Sequence, residues 1–346
     1  MIFMNQYLTP FIIAFILTVI FMPLLVMFAK KINWKERNSR RHIHSSKIFR
    51  VGGLAMITAF VLTILFDSNL VMSAELAAIL IGSLTLMVVG LMDDIKEVFW
   101  KIQLSSQIAV AIFIFVMGVR IYYVTNPISG GVWKMDSGLF VLISIFLVIF
   151  WVVLVINALN WLDGTDGLSG GVAFIAAGTI FFLSLKSEVN QPPVAIVSAG
   201  LAGSFLGFLI YNFHPARVLA GTTGSMFMGF SLAALAIFSG TKIATALLVM
   251  AMPIIDFGWV ILDRLRKQKS IFRPDKNHLH YKLLRLGWSQ RKIAVFYYAV
   301  TGLIALVALN TRTIGKSITL GVTFFIMISA FVLLDKKINK LKKENK

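Results

Sequence analysis

Two groups of polar side chains follow long apolar stretches of the chain and could carry out chemistry together. The first group, which we call the 157–167 segment, follows the apolar residues 139–156 and contains Asn157, Asn160, Asp163 and Asp166. The second group, the aspartate pair, is Asp93 and Asp94 after another apolar stretch. Polar groups at membrane depth are costly, so we interpret both as parts of a functional site. Carboxylates suit magnesium, which takes one or two of them and adds water and substrate phosphates.

Structural roles are the alternatives for both groups. Adjacent aspartates at a helix end could be a charge cluster among lipid headgroups. Asn, Asp and Gly also favour turns without any ligand. The residues alone leave these alternatives open.

Two further segments could contact a phosphorylated ligand. His278 and His280 lie on a basic loop that also contains Arg273. Histidines at i and i+2 cannot share one helix face, so an extended segment is needed to direct both to one ligand. Zinc would need further ligands that we do not find, and phosphate contacts with a bidentate Arg273 are favoured. Asn212 precedes a second segment, 221–225, whose glycines predict a helix N-terminus that would favour phosphate.

The composition indicates a membrane protein. Of the 346 residues 58% are hydrophobic and 14% are charged, with a mean hydropathy of +0.85. A soluble domain with this composition would expose too much apolar surface. A spanning helix needs about 20 mostly apolar residues, and eleven stretches approach this length. They lie near 8–29, 51–66, 75–92, 104–120, 139–158, 167–185, 194–211, 225–239, 242–262, 293–309 and 317–334.

The distribution of basic residues predicts the orientation. With the N-terminus outside and the C-terminus in the cytoplasm, 27 of the 33 Lys and Arg lie on the cytoplasmic side, as the positive-inside rule requires. The net charge of +18 therefore indicates membrane topology and no nucleic-acid partner. All five histidines, the aspartate pair, Asp163 and Asp166 also fall on this side.

We predict a single integral-membrane domain over residues 1–346, an all-α polytopic helical bundle. Its cytoplasmic loops lie near 30–50, 93–103, 157–170, 212–224 and 263–292, followed by a basic tail at 335–346. These loops are too short to fold alone. The first helix lacks a basic leader and a small-residue cleavage site, so we interpret it as a retained anchor.

Taken together and in order, these motifs resemble the polyprenyl-phosphate N-acetylhexosamine-1-phosphate transferases, a family that includes initiators of teichoic acid, enterobacterial common antigen and O-antigen synthesis and, more distantly, the phospho-MurNAc-pentapeptide translocase. Arg41-x-x-His44 and Arg50-x-Gly52-Gly53 resemble the family's first loop. The aspartate pair and the 157–167 segment resemble its next two motifs. The run 273–280 is similar to the His-x-His loop of the branch that uses UDP-N-acetylglucosamine-like donors, and Asp256 lies where the family has an aspartate in its ninth helix.

The resemblance implies a reaction and its partners. Undecaprenyl phosphate would attack the β-phosphate of a UDP-N-acetylhexosamine, most simply UDP-GlcNAc, and release UMP at the cytoplasmic face of the bacterial inner membrane. The cofactor would be Mg²⁺, with Mn²⁺ as a substitute, and Asp94 and Asp163 as its ligands. Asp93, Asp94 and Asp163 would be the catalytic residues. The substrate-binding residues would be His44, Arg50, Asn157, Asn160, Asp166, Asn212, Arg273, His278 and His280. The resemblance also leaves open whether the protein forms a homodimer.

One departure from the family pattern supports an alternative function. The family normally has an aspartate, usually a metal ligand, where this chain has Thr222. A neutral hydroxyl is a poor replacement for a carboxylate on magnesium. The first alternative is therefore an impaired paralogue that binds UDP-sugar or lipid phosphate. The second is an ion-coupled transporter, which glycine-interrupted helices and an intramembrane Asp256 would also suit.

Overall fold

The computed structural model describes residues 2–32, 34, 48–125, 131–240, 243–270 and 277–344. Within these residues the chain is a bundle of α-helices with one small hairpin. The helices are α1 (Ile2–Lys31), α2 (Gly52–Leu65), α3 (Ala74–Ile95), α4 (Trp100–Val116), α5 (Leu139–Leu162), α6 (Leu168–Ser184), α7 (Pro192–Asn212), α8 (Gly221–Phe238), α9 (Ile243–Val249), α10 (Ala251–Arg266), α11 (Leu279–Arg285), α12 (Gln290–Asn310) and α13 (Thr313–Glu344). The hairpin pairs β1 (Tyr123–Thr125) with β2 (Val132–Lys134) in antiparallel register.

The helices confirm that the chain is a multi-pass membrane protein. In the described part of the chain, seven helices are long and apolar enough to cross a bilayer, and a bent pair raises this number to eight. Three shorter apolar helices, α2, α4 and α6, coincide with the remaining predicted spans. Each helix that is long and apolar enough to cross a bilayer in the described part of the chain thus coincides with a stretch predicted from hydropathy, and the total of eleven spans stays a prediction.

The ninth predicted span, 242–262, is not one straight helix. It is divided into α9 and α10, which meet at an angle of 74°. Pro253 lies in the first turn of α10, and it lacks the N–H that would bond to the carbonyl of Val249 four residues earlier. The helix therefore restarts at Ala251. The hairpin was also absent from the sequence prediction, because its strands have only three residues each.

Helix α8 lies at the centre of the bundle and α1 and α13 at its periphery. The apolar window of α8 is 89% buried inside the protein, whereas that of α1 and that of α13 are each 17% buried. Glycines allow the backbones to approach α8 closely. A methyl group on Gly53 would clash with the backbone of Gly224, and one on Gly90 would lie 2.5 Å from Thr223 Cα. The start of α8 is therefore packed directly against α2 and α3.

A short extended pairing brings the residues before α2 to the same place. Phe49 forms a parallel bridge with Val218. Leu219 N donates to Phe49 O at 3.0 Å, and Gly52 N donates to Leu219 O at 3.0 Å. This pairing places Arg50 beside the first turn of α8.

Candidate active site

The aspartate pair ends α3 and faces the first turn of α8. Asp93 and Asp94 are 3% and 1% exposed. Asp94 accepts hydrogen bonds from Thr222 N at 2.8 Å, from Thr223 N at 3.0 Å and from Thr223 Oγ1 at 2.7 Å. Arg50 Nη1 lies 3.9 Å from Asp94 Oδ1. The α8 N–H groups that we expected to favour phosphate are thus directed at a carboxylate of the protein itself.

Asp93 is held equally firmly. Its Oδ1 accepts bonds from Val98 N at 3.0 Å and Gln103 Nε2 at 2.9 Å, and its Oδ2 accepts a bond from Thr222 Oγ1 at 2.6 Å. Thr222 therefore donates its hydroxyl to Asp93 and its backbone N–H to Asp94.

The 157–167 segment meets the same turn of α8. Ser225 Oγ donates to Asn160 Oδ1 at 2.8 Å. Asn157, one turn earlier in α5, instead donates to Gln107 Oε1 of α4 at 2.7 Å. The end of α5 is thus fixed between α4 and α8, and the aspartate pair and the 157–167 segment lie together as the sequence predicted.

Asp163 directly follows α5 and has a carboxylate oxygen to offer. Ser169 Oγ donates to its Oδ1 at 2.5 Å, and no described residue donates to its Oδ2. Asp163 interacts electrostatically with Arg50, Asp94 and Asp166, which shows that these charges share one region. Burial raises the pKa of Asp163 to about 6, although Ser169 and Arg50 act in the opposite direction.

Asp166 and Asn212 hold loops together. Asp166 Oδ2 lies 2.7 Å from His214 Nδ1 and accepts a bond from Ala216 N at 3.0 Å. Asn212 Oδ1 accepts a bond from Gly167 N at 2.9 Å, while its Nδ2 donates to Val218 O. The amide of Asn212 is thus used on the backbone of both loops, a role that was not predicted.

Two residues of α12 complete this support. Gln290 Oε1 accepts a bond from Asp166 N at 3.0 Å, and Tyr298 Oη donates to Gly167 O. Both contacts reach the end of the 157–167 segment, so α12 sets the position of its backbone. Sequence reasoning missed Gln290 and Tyr298, since neither lies in a polar motif.

The two histidines begin α11 and lie against the 157–167 segment. His278 Nδ1 is 3.0 Å from Asp256 Oδ2, and Leu279 N donates to Asp256 Oδ1 at 2.9 Å. The rings of His278 and His280 are stacked with centroids 5.6 Å apart, and the ring of Trp161 lies edge-on to His278 at 5.2 Å. Both histidines do share one location, although His280 lies in a helix and not in an extended segment.

His280 is buried beside Gly164. It has 0% exposure, and neither ring nitrogen has a hydrogen-bond partner among the described residues. A methyl group on Gly164 would lie 2.6 Å from His280 Nε2, so this nitrogen faces the loop directly. Burial and the neighbouring His278 lower the pKa of His280 to about 3, so the ring is neutral at pH 7.

Two predicted substrate-binding residues, His44 and Arg273, lie outside the described residues. The other predicted residues gather at one end of the bundle around the start of α8. In the described part of the chain no three His, Cys, Asp or Glu side chains are close enough to hold a metal ion by themselves. Magnesium does not need three, because it is bound through one or two carboxylates together with substrate phosphates. The uncommitted oxygen of Asp163 fits this requirement.

Comparison with known proteins agrees with this geometry. Residues 76–240 match the family described as Glycosyl transferase family 4. The chain is 29% identical to a probable undecaprenyl-phosphate N-acetylglucosaminyl 1-phosphate transferase of Bacillus subtilis over 337 residues, 96% of this chain and 91% of the relative. It is 32% identical to the decaprenyl-phosphate N-acetylglucosaminephosphotransferase of Mycobacterium leprae, covering 78% of this chain and 75% of the relative. It is 30% identical to the phospho-N-acetylmuramoyl-pentapeptide-transferase of Halalkalibacterium halodurans, covering 86% of this chain and 95% of the relative.

These similarities extend over most of the chain, well beyond the matched family region, and they include the polar segments that meet at α8. They confirm the resemblance drawn from the motifs, and the three relatives named above are all described as transferases and not as transporters. The chain belongs to the glycosyl transferase family 4 enzymes, the polyprenyl-phosphate N-acetylhexosamine-1-phosphate transferases.

Proposed function

We propose that this protein transfers GlcNAc-1-phosphate from UDP-GlcNAc to undecaprenyl phosphate, releases UMP and so initiates synthesis of a cell-envelope glycan. The names of the Bacillus and Mycobacterium relatives support the amino sugar and the class of acceptor. In this reaction an acceptor phosphate oxygen forms a bond to the β-phosphorus of the donor. The bond from that phosphorus to the bridging oxygen breaks, and UMP leaves with that oxygen.

One observation carries the proposal. His280 Nε2 faces Gly164, next to Asp163, and Asn160 in the same segment bonds to Ser225 beside the aspartate pair. A neutral ring with two available nitrogens, a carboxylate and a cationic Arg50 therefore border one region. Phosphoryl transfer depends mainly on alignment and on neutralisation of charge, and this combination of groups provides both.

The cation is part of the proposal. Mg²⁺, or Mn²⁺ in its place, would be held at Asp163, and when bound it would neutralise charge on the donor diphosphate. Arg50, His278, His280 and the predicted Arg273 would contact the phosphates or the sugar. Asn157, Asn160, Asp166 and Asn212 remain predicted contributors to the nucleoside pocket, directly or through the backbone that they position.

The acceptor needs orientation more than deprotonation. A phosphate monoester has a second pKa near 6, so its attacking oxygen is already ionised at pH 7. The positive charge of Arg50, paired with Asp94 at 3.9 Å, lies where it would attract such an anion. No proton has to be removed from the acceptor, and Asp94 pairs with the Arg50 side chain that would attract it. We therefore assign the aspartate pair an orienting role.

The proposed topology places this chemistry in the cytoplasm. Eleven spans result if α2, α4 and α6 cross the membrane together with the seven long helices and the α9–α10 pair. An odd number of spans puts the two termini on opposite sides of the membrane, and the distribution of basic residues favours an outside N-terminus and an inside C-terminus. The basic ends of α1 and α10 then face the cytoplasm, as expected for a bacterial inner-membrane enzyme. A homodimer stays a prediction.

The reaction is tested with purified protein in nanodiscs supplied with undecaprenyl phosphate, UDP-GlcNAc and Mg²⁺. We expect UMP and lipid-linked diphospho-GlcNAc in equal amounts, and at least a tenfold lower rate for Asp163→Asn. The matched control is Asp263→Asn, because Asp263 forms a partly exposed i,i+4 ion pair with Lys267 at the end of α10, and this variant should keep its rate.

An impaired, UDP-sugar-binding paralogue is the second candidate, and the observation that favours it is Thr222. Its hydroxyl bonds to Asp93 at 2.6 Å and adds no negative charge. If the wild-type protein and Thr222→Asp both bind UDP-GlcNAc but release no UMP, while a homologous transferase is active in the same assay, this candidate replaces the enzyme.

A further inference from the structure

The first turn of α8 is closed by side chains of α3. A helix leaves its first N–H groups without partners inside the helix, and in a membrane protein they must be bonded elsewhere. Thr222 N and Thr223 N donate to Asp94 at 2.8 and 3.0 Å. Asp94 therefore acts as a cap for a helix that begins more than one hundred residues later in the chain.

The hydroxyl groups of the same two threonines repeat this pattern. Thr222 Oγ1 donates to Asp93 at 2.6 Å and Thr223 Oγ1 donates to Asp94 at 2.7 Å. Two consecutive hydroxyls thus bond to two consecutive carboxylates. We call this set of four residues the threonine–aspartate clamp.

The backbone leaves the clamp little freedom to open. Gly221 has a φ of +70°, and a Cβ at this position would clash with the Asp94 carboxylate. A Cβ on Gly90 would lie 2.5 Å from Thr223 Cα. Because the backbones of α3 and α8 are in direct contact at Gly90 and Thr223, and the Asp94 carboxylate lies against Gly221, the carboxylates are held at fixed positions.

The carboxylates at this end of the bundle consequently differ in what they can offer a cation. Asp94 accepts three hydrogen bonds from α8 and also faces Arg50. Asp93 accepts three from Val98, Gln103 and Thr222. Asp163 accepts one, on Oδ1. A carboxylate oxygen has about two lone-pair directions. Among the described residues, each oxygen of Asp93 and Asp94 has at least one of these directions taken by a hydrogen bond, whereas Asp163 Oδ2 has both directions available.

We infer that the threonine–aspartate clamp makes Asp93 and Asp94 positioning residues, and that Asp163 alone supplies the protein carboxylate for the divalent cation. This inference rests on the proposed function, since the remaining ligands would be phosphate oxygens of the nucleotide sugar and water. A single carboxylate binds Mg²⁺ weakly. The cation therefore binds together with the nucleotide and not before it.

Binding of Mn²⁺, measured by electron paramagnetic resonance without turnover, tests the inference. The wild-type protein is placed in nanodiscs without acceptor lipid. We expect Mn²⁺ to bind the complex of this protein with UDP-GlcNAc at least tenfold more tightly than Mn²⁺ binds free UDP-GlcNAc. Asp163→Asn should abolish this gain, whereas Asp94→Asn should retain it within about threefold. If both variants lose the gain in Mn²⁺ affinity equally, the inference is overturned, but UDP-GlcNAc remains the proposed donor. No gain even in the wild type would count against both the inference and the proposed donor.

A second pair of variants tests the clamp if Asp94→Asn does not fold. Thr223→Val removes the hydroxyl but keeps the shape, so we expect kcat to fall about tenfold while KM for UDP-GlcNAc and Mn²⁺ binding change less than twofold. Thr223→Ser restores the hydroxyl and should restore kcat. If Thr223→Val keeps the wild-type kcat, or loses Mn²⁺ binding as Asp163→Asn does, the clamp has no positioning role.

Discussion

Ser225 of α8 and Asn160 of α5 are joined by a hydrogen bond of 2.8 Å between Ser225 Oγ and Asn160 Oδ1. This bond connects the 157–167 segment to the helix turn that holds the aspartate pair. The two motifs that the sequence singled out first are therefore linked through α8, which bonds to both of them.

Ser225→Ala should therefore weaken both the fold and the activity. Loss of a bond to a partly buried amide costs about 1–2 kcal/mol, measured as a lower free energy of unfolding in mild detergent. Ser231→Ala is the matched control, because Ser231 Oγ bonds to Phe227 O and Met228 O, both in its own helix, and its loss should cost about 0.5 kcal/mol or less. Equal effects of the two substitutions would show that the link between the helices contributes nothing.

Tyr298→Phe should lower the rate without preventing folding. Tyr298 Oη donates to Gly167 O, so its removal frees the end of the 157–167 segment, and we expect kcat to fall about fivefold to tenfold. The adjacent Tyr297 provides the control. Its buried hydroxyl has no partner among the described residues, so Tyr297→Phe should be neutral or slightly stabilising. A larger rate loss for Tyr297→Phe would contradict this assignment.

The raised pKa of Asp163 predicts how the stability of the protein and its binding of a cation depend on pH. Its pKa in the folded protein is about 6, above the ordinary 3.8. The folded state thus favours the protonated form, and this carboxyl destabilises the fold progressively as the pH rises from about 4 to about 6. Without metal, Asp163→Asn should be more stable than wild type at pH 7.5, by up to about 3 kcal/mol, and the two should converge below about pH 4.

The same carboxyl must lose its proton to bind a cation. We expect the affinity for Mn²⁺ in the presence of UDP-GlcNAc to fall about tenfold per pH unit below about pH 6. An affinity that stays constant down to about pH 4.5 would show that the pKa of Asp163 is not raised.

Asp256→Asn should affect donor binding through the histidines. Asp256 is 2% exposed and contacts both His278 Nδ1 and Leu279 N. Asparagine removes the negative charge and places an NH₂ group where a carboxylate oxygen faced His278 Nδ1, so the contact with His278 weakens and the start of α11 loosens. We expect KM for UDP-GlcNAc to rise at least fivefold while KM for the lipid acceptor stays within about twofold. An equal rise in both constants would indicate general loosening of the bundle.

Much of this protein could be predicted from its sequence. Long apolar stretches identify helices without any knowledge of their neighbours, because a lipid environment requires about 20 apolar residues per span. Polar residues at the ends of such stretches identify the site, since they are costly there without a purpose. The aspartate pair, the 157–167 segment and the histidines were found in this way.

Other features depend on tertiary structure. Thr222 and Thr223 bond to carboxylates 128 and 129 positions away, and Gln290 accepts a bond from Asp166 across 124 positions. Hydropathy is a property of consecutive residues and contains no information on such partners. How strongly each carboxylate is committed to the fold is decided only where α3, α5 and α8 meet, because each hydrogen bond there takes up a lone pair that a metal ion would otherwise use.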